Sequence, residues 1–249
     1  MLYLLPIPMT SAPFRLLCAS MLLSTCATAQ EWIPANELGA FSGQTDVGTV
    51  SRAGTATFDA ARGTYTIGAS GANMWFTEDA MHFVWKKVAG DGSISADIAF
   101  VGTSTQPHRK ACLVIRQNLD PGSAYVDVAV HGDGLTSLQF RDTEGAPTKE
   151  IQSNVASPQR VRLDKIGDTV YLSVARAGEE PHPSGCSFQL HLNNPFYVGL
   201  AVSAHDNAAF ETAVFSKVEI GRASPAAAVA QDGLKIITLP SGDRRVSDR

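Results

Sequence analysis

The chain has 249 residues, 44% of them hydrophobic and 18% charged, enough for one large or two small folded domains. Its formal net charge of -4, with no run of Lys and Arg, argues against a nucleic-acid or anionic-membrane partner, which would call for a basic patch. The 21 Gly and 13 Pro fall mostly between short β-type runs, a pattern of many turns.

Residues 1–29 read as a secretory signal peptide. Arg15 precedes the apolar stretch "LLCASMLLSTCATA", which closes on the small-residue pattern Ala27-Thr28-Ala29, so cleavage is expected before Gln30 and the mature chain is expected to be exported. The stretch is shorter than the ~20 residues of a membrane-spanning helix, and no transmembrane segment is expected in the mature chain. Thr25 is larger than the usual residue before a lipidated cysteine, which weakens Cys26 as a lipidation site. Cleavage removes Cys18 and Cys26. Cys112 and Cys186 remain, at a spacing that fits no zinc motif, and whether they pair is left open.

Residues 31–220 then give strand signals in succession. "GTATFDA", "GTYTIGAS", "HFVWKKVAG", "GSISADIAFVG", "KACLVIRQ", "AYVDVAVHG", "TSLQFRDT", "QRVRLDKIGDTVYLSVA", "SFQLHL", "FYVGLAVSAH" and "AVFSKVEIG" are short, rich in β-branched and aromatic residues, and bounded by turn residues. The spacing predicts an all-β sandwich or barrel. Gly167-Asp168 marks a tight hairpin within the longest run. Residues 221–232 read as an Ala- and Pro-rich linker. Residues 233–249 read as a hairpin without neighbours, or the start of a truncated propeller.

Alternate residues of a strand share a face. Val126, Val128 and Val130 fall on an apolar face, as do Leu113 and Ile115, Leu138 and Phe140, and Val198, Leu200 and Val202. The opposite face collects Arg116, Tyr125, Asp127, His131, Gln139 and His205. Such a mixture suits a sugar, which offers hydroxyls to planar hydrogen-bonding groups and C–H faces to an aromatic plate. The alternative is a cross-strand ion pair between Arg116 and Asp127 with a purely structural role. Trp85 shares a face with Phe83, and both it and Trp75 are open to a core or a ligand-platform reading.

Catalytic and metal-binding patterns are not found. A glycosidase needs two carboxylates on one face, and where Asp127 would want a second, Ala129 stands. Glu78 and Asp79 are adjacent and so point to opposite faces. No nucleophile elbow occurs, and neither Asp91-Gly92 nor Asp133-Gly134 supplies a spaced set of calcium ligands. No catalytic residue, metal or cofactor is expected.

Three stretches carry a family resemblance: "GTYTIGASGANMWFTEDAMHFVWKKVAGDGSISADI", "HRKACLVIRQNLDPGSAYVDVAVHGDGLTSLQFR" and "PFYVGLAVSAHDNAAFETAVFSKVEI". Over residues 40–220 the chain resembles the concanavalin A-like (laminin-G-like) β-sandwich modules of bacterial exported proteins, including those found ahead of TolB-like propellers. The resemblance implies an all-β, two-sheet antiparallel jelly-roll sandwich with one concave sheet. It also implies carbohydrate binding, on fold-level analogy. One departure stands out. Related modules commonly carry a Ser-x-Asp-Gly-x-x-Trp turn after the "TVYLSVA" strand, and this chain reads "RAGEEPHPSGCSFQLHL" there, without Trp. The expectation is therefore a non-catalytic exported module that binds a poly- or oligosaccharide through the polar face. The alternative is a structural or protein-interaction module that docks an envelope protein or a fused propeller. A polysaccharide hydrolase ranks below both.

Overall fold

A computed structural model describes residues 38–224 and 234–248. The expected signal peptide and most of the expected linker lie outside the described residues. The strands in chain order are β1 (Gly43–Val47), β2 (Thr55–Asp59), β3 (Thr64–Ala69), β4 (Met74–Trp75), β5 (Glu78–Asp79) and β6 (Met81–Val88). There follow β7 (Gly92–Val101), β8 (Lys110–Arg116), β9 (Tyr125–His131), β10 (Thr136–Arg141), β11 (Lys149–Gln152) and β12 (Arg160–Ile166). The last six are β13 (Thr169–Ala175), β14 (His182–Gln189), β15 (Phe196–Ser203), β16 (Glu211–Gly221), β17 (Leu234–Thr238) and β18 (Arg244–Asp248).

These strands build a jelly-roll sandwich. One sheet has nine strands in the order β1-β6-β15-β8-β9-β10-β11-β18-β17, and the other has seven in the order β14-β13-β12-β7-β16-β3-β2. Pairing is antiparallel except where β18 lies parallel to β11, Ile151 opposite Arg244. That contact corrects the reading of the C-terminal hairpin as a piece without neighbours. The hairpin itself forms (Ile236 opposite Val246), and Val246 is buried in the main core. Strand β14 starts at His182, earlier than the "SFQLHL" run suggests, and β11 falls where the sequence carries no strand signal.

The main core lies between the sheets, and period-two patterning puts it there. Leu113 sits opposite Val128 and Ile115 opposite Val126, Val128 opposite Leu138, and Leu200 opposite Leu113, so one face of the nine-stranded sheet is continuous hydrocarbon. The seven-stranded sheet answers with Ile94, Val161, Leu163, Val170, Leu172 and Phe215, among others. Each such side chain contributes about 1.5–3 kcal/mol on full burial. Cys186 belongs to this core, whereas Cys112 lies on the far face of the nine-stranded sheet. Both are free thiols, so the disulfide left open by the sequence is not made.

The far face of the nine-stranded sheet is not bare. Residues 71–80, with the ribbon β4–β5, cover much of it. Ala201, Cys112, Ala129 and Ser137 are register partners across β15, β8, β9 and β10, a row of small side chains. Met74 packs into a second apolar cluster with Cys112, Ala129 and Ala201, its sulfur 4.0 Å from Cys112 Sγ. Gly71 permits the close approach. It has a φ of 113°, and a Cβ there would lie 2.2 Å from the Ala80 carbonyl oxygen.

Candidate functional site

The outer face of the nine-stranded sheet has two ends with different chemistry. At the end defined by Arg116, Tyr125 and Arg141, which are register partners across β8, β9 and β10, the cover is fastened by charge. Asp79 on β5 sits between two arginines. Arg141 donates from Nη1 to Asp79 Oδ2 at 3.1 Å and from Nη2 to Oδ1 at 2.9 Å, and Arg116 Nη2 lies 3.5 Å from Oδ2. All three are buried. The remaining guanidinium donors reach carbonyl oxygens of Asn118 and Asp120 from Arg116, and of Pro121, Ser123, Ala146 and Phe76 from Arg141. The Arg141 guanidinium lies 4.9 Å from the centre of the Tyr125 ring, whose hydroxyl is 3.2 Å from Thr148 Oγ1.

At the other end of the same strands the face opens into a cleft of about 370 Å³. Its floor and walls include Lys110 from the start of β8, His131 from the end of β9, Gln139 from β10 and Glu150 from β11. His108 and His205 come from the loops at the ends of β8 and β15, and Asn73, Trp75 and Phe76 come from the cover. Lys110 ties the cover to the sheet by donating to Asn73 Oδ1 at 2.7 Å and to the Met74 carbonyl at 3.0 Å. Its ammonium is 5.4 Å from the centre of the Trp75 ring.

Two cleft residues have strained backbones. Phe76 has a φ of 49° and His205 a φ of 57°, left-handed values that non-glycine residues adopt at a cost of about 1–3 kcal/mol. Phe76 is held there by its carbonyl, which accepts from the Thr148 N–H at 2.7 Å and from Arg141 at 3.4 Å. The residue is 69% exposed, the most exposed large hydrophobic residue described. Arg141 of the buried cluster thus also contacts the segment whose aromatic ring is exposed.

The electrostatics of the floor follow from burial. Burial foremost, helped by the Lys110 charge, holds the His131 imidazole down at about 4, so it is neutral at physiological pH. Its Nδ1 is 3.0 Å from the Leu135 carbonyl oxygen, an acceptor, so Nδ1 carries the proton and Nε2 is bare. Gln139 Nε2, at 3.5 Å, faces that bare nitrogen, which leaves Gln139 Oε1 buried without a donor. Burial likewise lowers Lys110 and His205, with the neighbouring positive groups adding to the His205 shift.

The sequence-derived site divides in two. His131, Gln139 and His205 line the cleft together. Arg116, Tyr125 and Asp127 do not, since all three are fully buried and lie towards or within the fastened end. Nor do Arg116 and Asp127 form the expected pair, because Arg116 is committed to Asp79. Both Asp127 oxygens are buried without a hydrogen-bond partner. Burial chiefly, reinforced by Asp79 and opposed by Lys110, pushes the Asp127 carboxyl well above the usual carboxylate range. The physical reason for the correction is the cover: period-two patterning shows that a face is polar, not that residues 71–80 fold back over it.

Lys110 was legible, since it shares parity with Cys112, Val114 and Arg116 on the outer face. Glu150 was not, because β11 is only four residues long. The exposure of Phe76 has no signal in period-two patterning. Trp75, open to either reading, is half-buried at the cleft wall. Trp85 is half-buried on the same outer face as Phe83, edge-on to Tyr197 with ring centres 5.2 Å apart. Among the described residues no group of His, Cys, Asp and Glu is arranged to hold a metal ion.

No protein-family model matches the chain, and no curated protein matches it. Solved structures do share its fold. A functionally unknown protein from Saccharomyces cerevisiae is similar with a TM-score of 0.54 at 12% identity, over 73% of this chain and 97% of that one. The carbohydrate binding module CBM66 from Bacillus subtilis is similar with a TM-score of 0.49 at 14% identity, over 73% and 97%. A lectin from Bauhinia forficata, solved in complex with GalNAc, has a TM-score of 0.41 at 8% identity, over 73% and 98%. The chain is an all-β jelly-roll sandwich of two large sheets.

Proposed function

We propose that the cleft binds an oligo- or polysaccharide without cleaving it. One observation carries the reading: Phe76, an exposed aromatic ring in a strained backbone, stands beside Trp75 over a floor of fixed polar groups. A sugar ring has an apolar C–H face for such a plate and hydroxyls for the floor. The orphan Gln139 Oε1 asks for a donor, which a hydroxyl supplies. The non-catalytic part rests on charge. Glu150 is the single carboxylate among the lining residues, and two-carboxylate hydrolysis lacks its partner.

Calorimetry against plant and bacterial polysaccharides, preceded by a glycan array, tests the proposal. Phe76→Ala removes an exposed side chain, leaves its backbone carbonyl in place, and is expected to weaken binding by about tenfold or more. Undiminished affinity in that variant removes the cleft as the site. Depolymerisation of any ligand by the native protein overturns the non-catalytic reading.

A second reading, a protein-interaction module, is favoured by the open edge of the nine-stranded sheet. Among the described residues, strand β17 ends that sheet with no further strand beside it, and Ile237 on it is exposed. An envelope protein or a TolB-like propeller would be the partner. Cross-links from residues 234–238, with no sugar bound, would favour it. Under either reading we propose that the protein works outside the cytoplasm, after cleavage before Gln30, as the Arg15 and Ala27-Thr28-Ala29 pattern supports.

A further inference from the structure

At the opposite ends of β8 and β15 from the cleft lies a second cavity, of about 180 Å³, between the two sheets. Much of its wall is hydrocarbon, from Val88, Ile115, Phe196, Val198 and Ile220, with Asp91 and Ser93 among the polar lining residues. One lining residue does not belong there by type. Lys165 is opposite Val170 and shares parity with Val161 and Leu163, all three members of the main core, so it occupies an inward-facing position of β12. Gly92, its partner on β7, has no side chain to fill the space beside it.

Lys165 as a residue is buried, at 6% exposure, and its stem lies in the core. Its ammonium donates to the Gly167 carbonyl at 2.6 Å and lies 5.2 Å from the centre of the Phe196 ring. Among the described residues no carboxylate oxygen lies within 4.0 Å of it. Asp91, also on the cavity wall, is exposed and accepts the Gly167 N–H at 2.8 Å. A lysine on a core-facing position, with three ammonium donors, one carbonyl acceptor and no counter-ion among the described residues, has donors left for an anion.

We propose that this cavity is a binding site for a small monocarboxylate with an apolar tail. The carboxylate would meet Lys165, and the tail would lie against Ile115, Phe196 and Val198. The volume sets the tail length: an apolar protein cavity of about 150 Å³ holds benzene, so this one takes a chain on the order of six carbons. The site is independent of the saccharide reading, since it shares no residue with the cleft.

The test compares hexanoate, 1-hexanol and hexylamine by calorimetry, and by amide chemical-shift mapping on the native protein. Hexanoate is expected to bind about tenfold or more tighter than 1-hexanol, as one charge-assisted hydrogen bond provides, and to shift the amides of Ile115, Phe196 and Val198. Lys165→Met is expected to abolish that preference while 1-hexanol binding persists. Three results would overturn the proposal: no advantage of hexanoate over 1-hexanol, a preference for hexylamine through Asp91, or shifts confined to other residues. Because the mapping uses native protein, the proposal stays testable even if Lys165→Met does not fold.

Discussion

Asp127 is the residue whose energetics are least like those of its neighbours. It is fully buried, and neither oxygen has a hydrogen-bond partner. Its carboxyl is held well above the ordinary carboxylate range, mainly by burial. The folded state therefore keeps the proton to higher pH than the unfolded chain. The stability that Asp127 contributes is fully present below about pH 4, the unfolded value, and is lost as pH rises through the raised folded value. Asp127→Asn does not titrate and escapes that loss. The variant is expected to gain about 1–3 kcal/mol over the native protein at neutral pH, with the gap closing towards pH 4. Urea unfolding at a series of pH values checks this, and a gap independent of pH would contradict it. The sequence showed Asp127 on the polar face with Arg116, and it does lie there. What alternation could not show is which arginine finds which carboxylate, because Asp79 comes from a segment far from both Arg116 and Arg141 in the chain.

Among elements, the cover of residues 71–80 depends on two kinds of contact. Met74 fills the room above the small-residue row, and Asp79 joins the cover to Arg141 and Arg116. Removing one member of a buried charge cluster leaves the others uncompensated. Asp79→Ala is accordingly expected to cost about 3–5 kcal/mol, measured by urea unfolding. A loss below ~1 kcal/mol, the size of an exposed pair, would mean that the cover is not fastened by charge. Glu78 and Asp79 illustrate how far patterning reaches. Their adjacency predicts opposite faces, and one is exposed while the other is buried. Adjacency says nothing of what the buried one meets. The longer strands β6 to β10, β12, β13, β15 and β16 were readable because β-branched and aromatic residues concentrate there. The ribbon β4–β5 and strand β11 were too short for any period to register.

For the whole molecule, the all-β class and the two-sided sandwich were legible, but the order of strands was not. Strand β15 lies between β6 and β8, and β16 between β7 and β3, pairings across long stretches of chain that no local pattern encodes. The proposed export concerns the full chain, and the mature protein is then expected to begin at or near Gln30. N-terminal sequencing of the exported product decides the matter, and a full-length cytoplasmic product would refute it. The cover has a consequence for how such a domain can change. Where residues 71–80 lie over the sheet, the molecule is three layers thick, and the middle layer is occupied with folding. Under the proposed saccharide reading, recognition would then fall to a short surface segment carrying Asn73, Trp75 and Phe76. New ligand preferences could be acquired by rewriting that segment, with the sandwich beneath it unaltered.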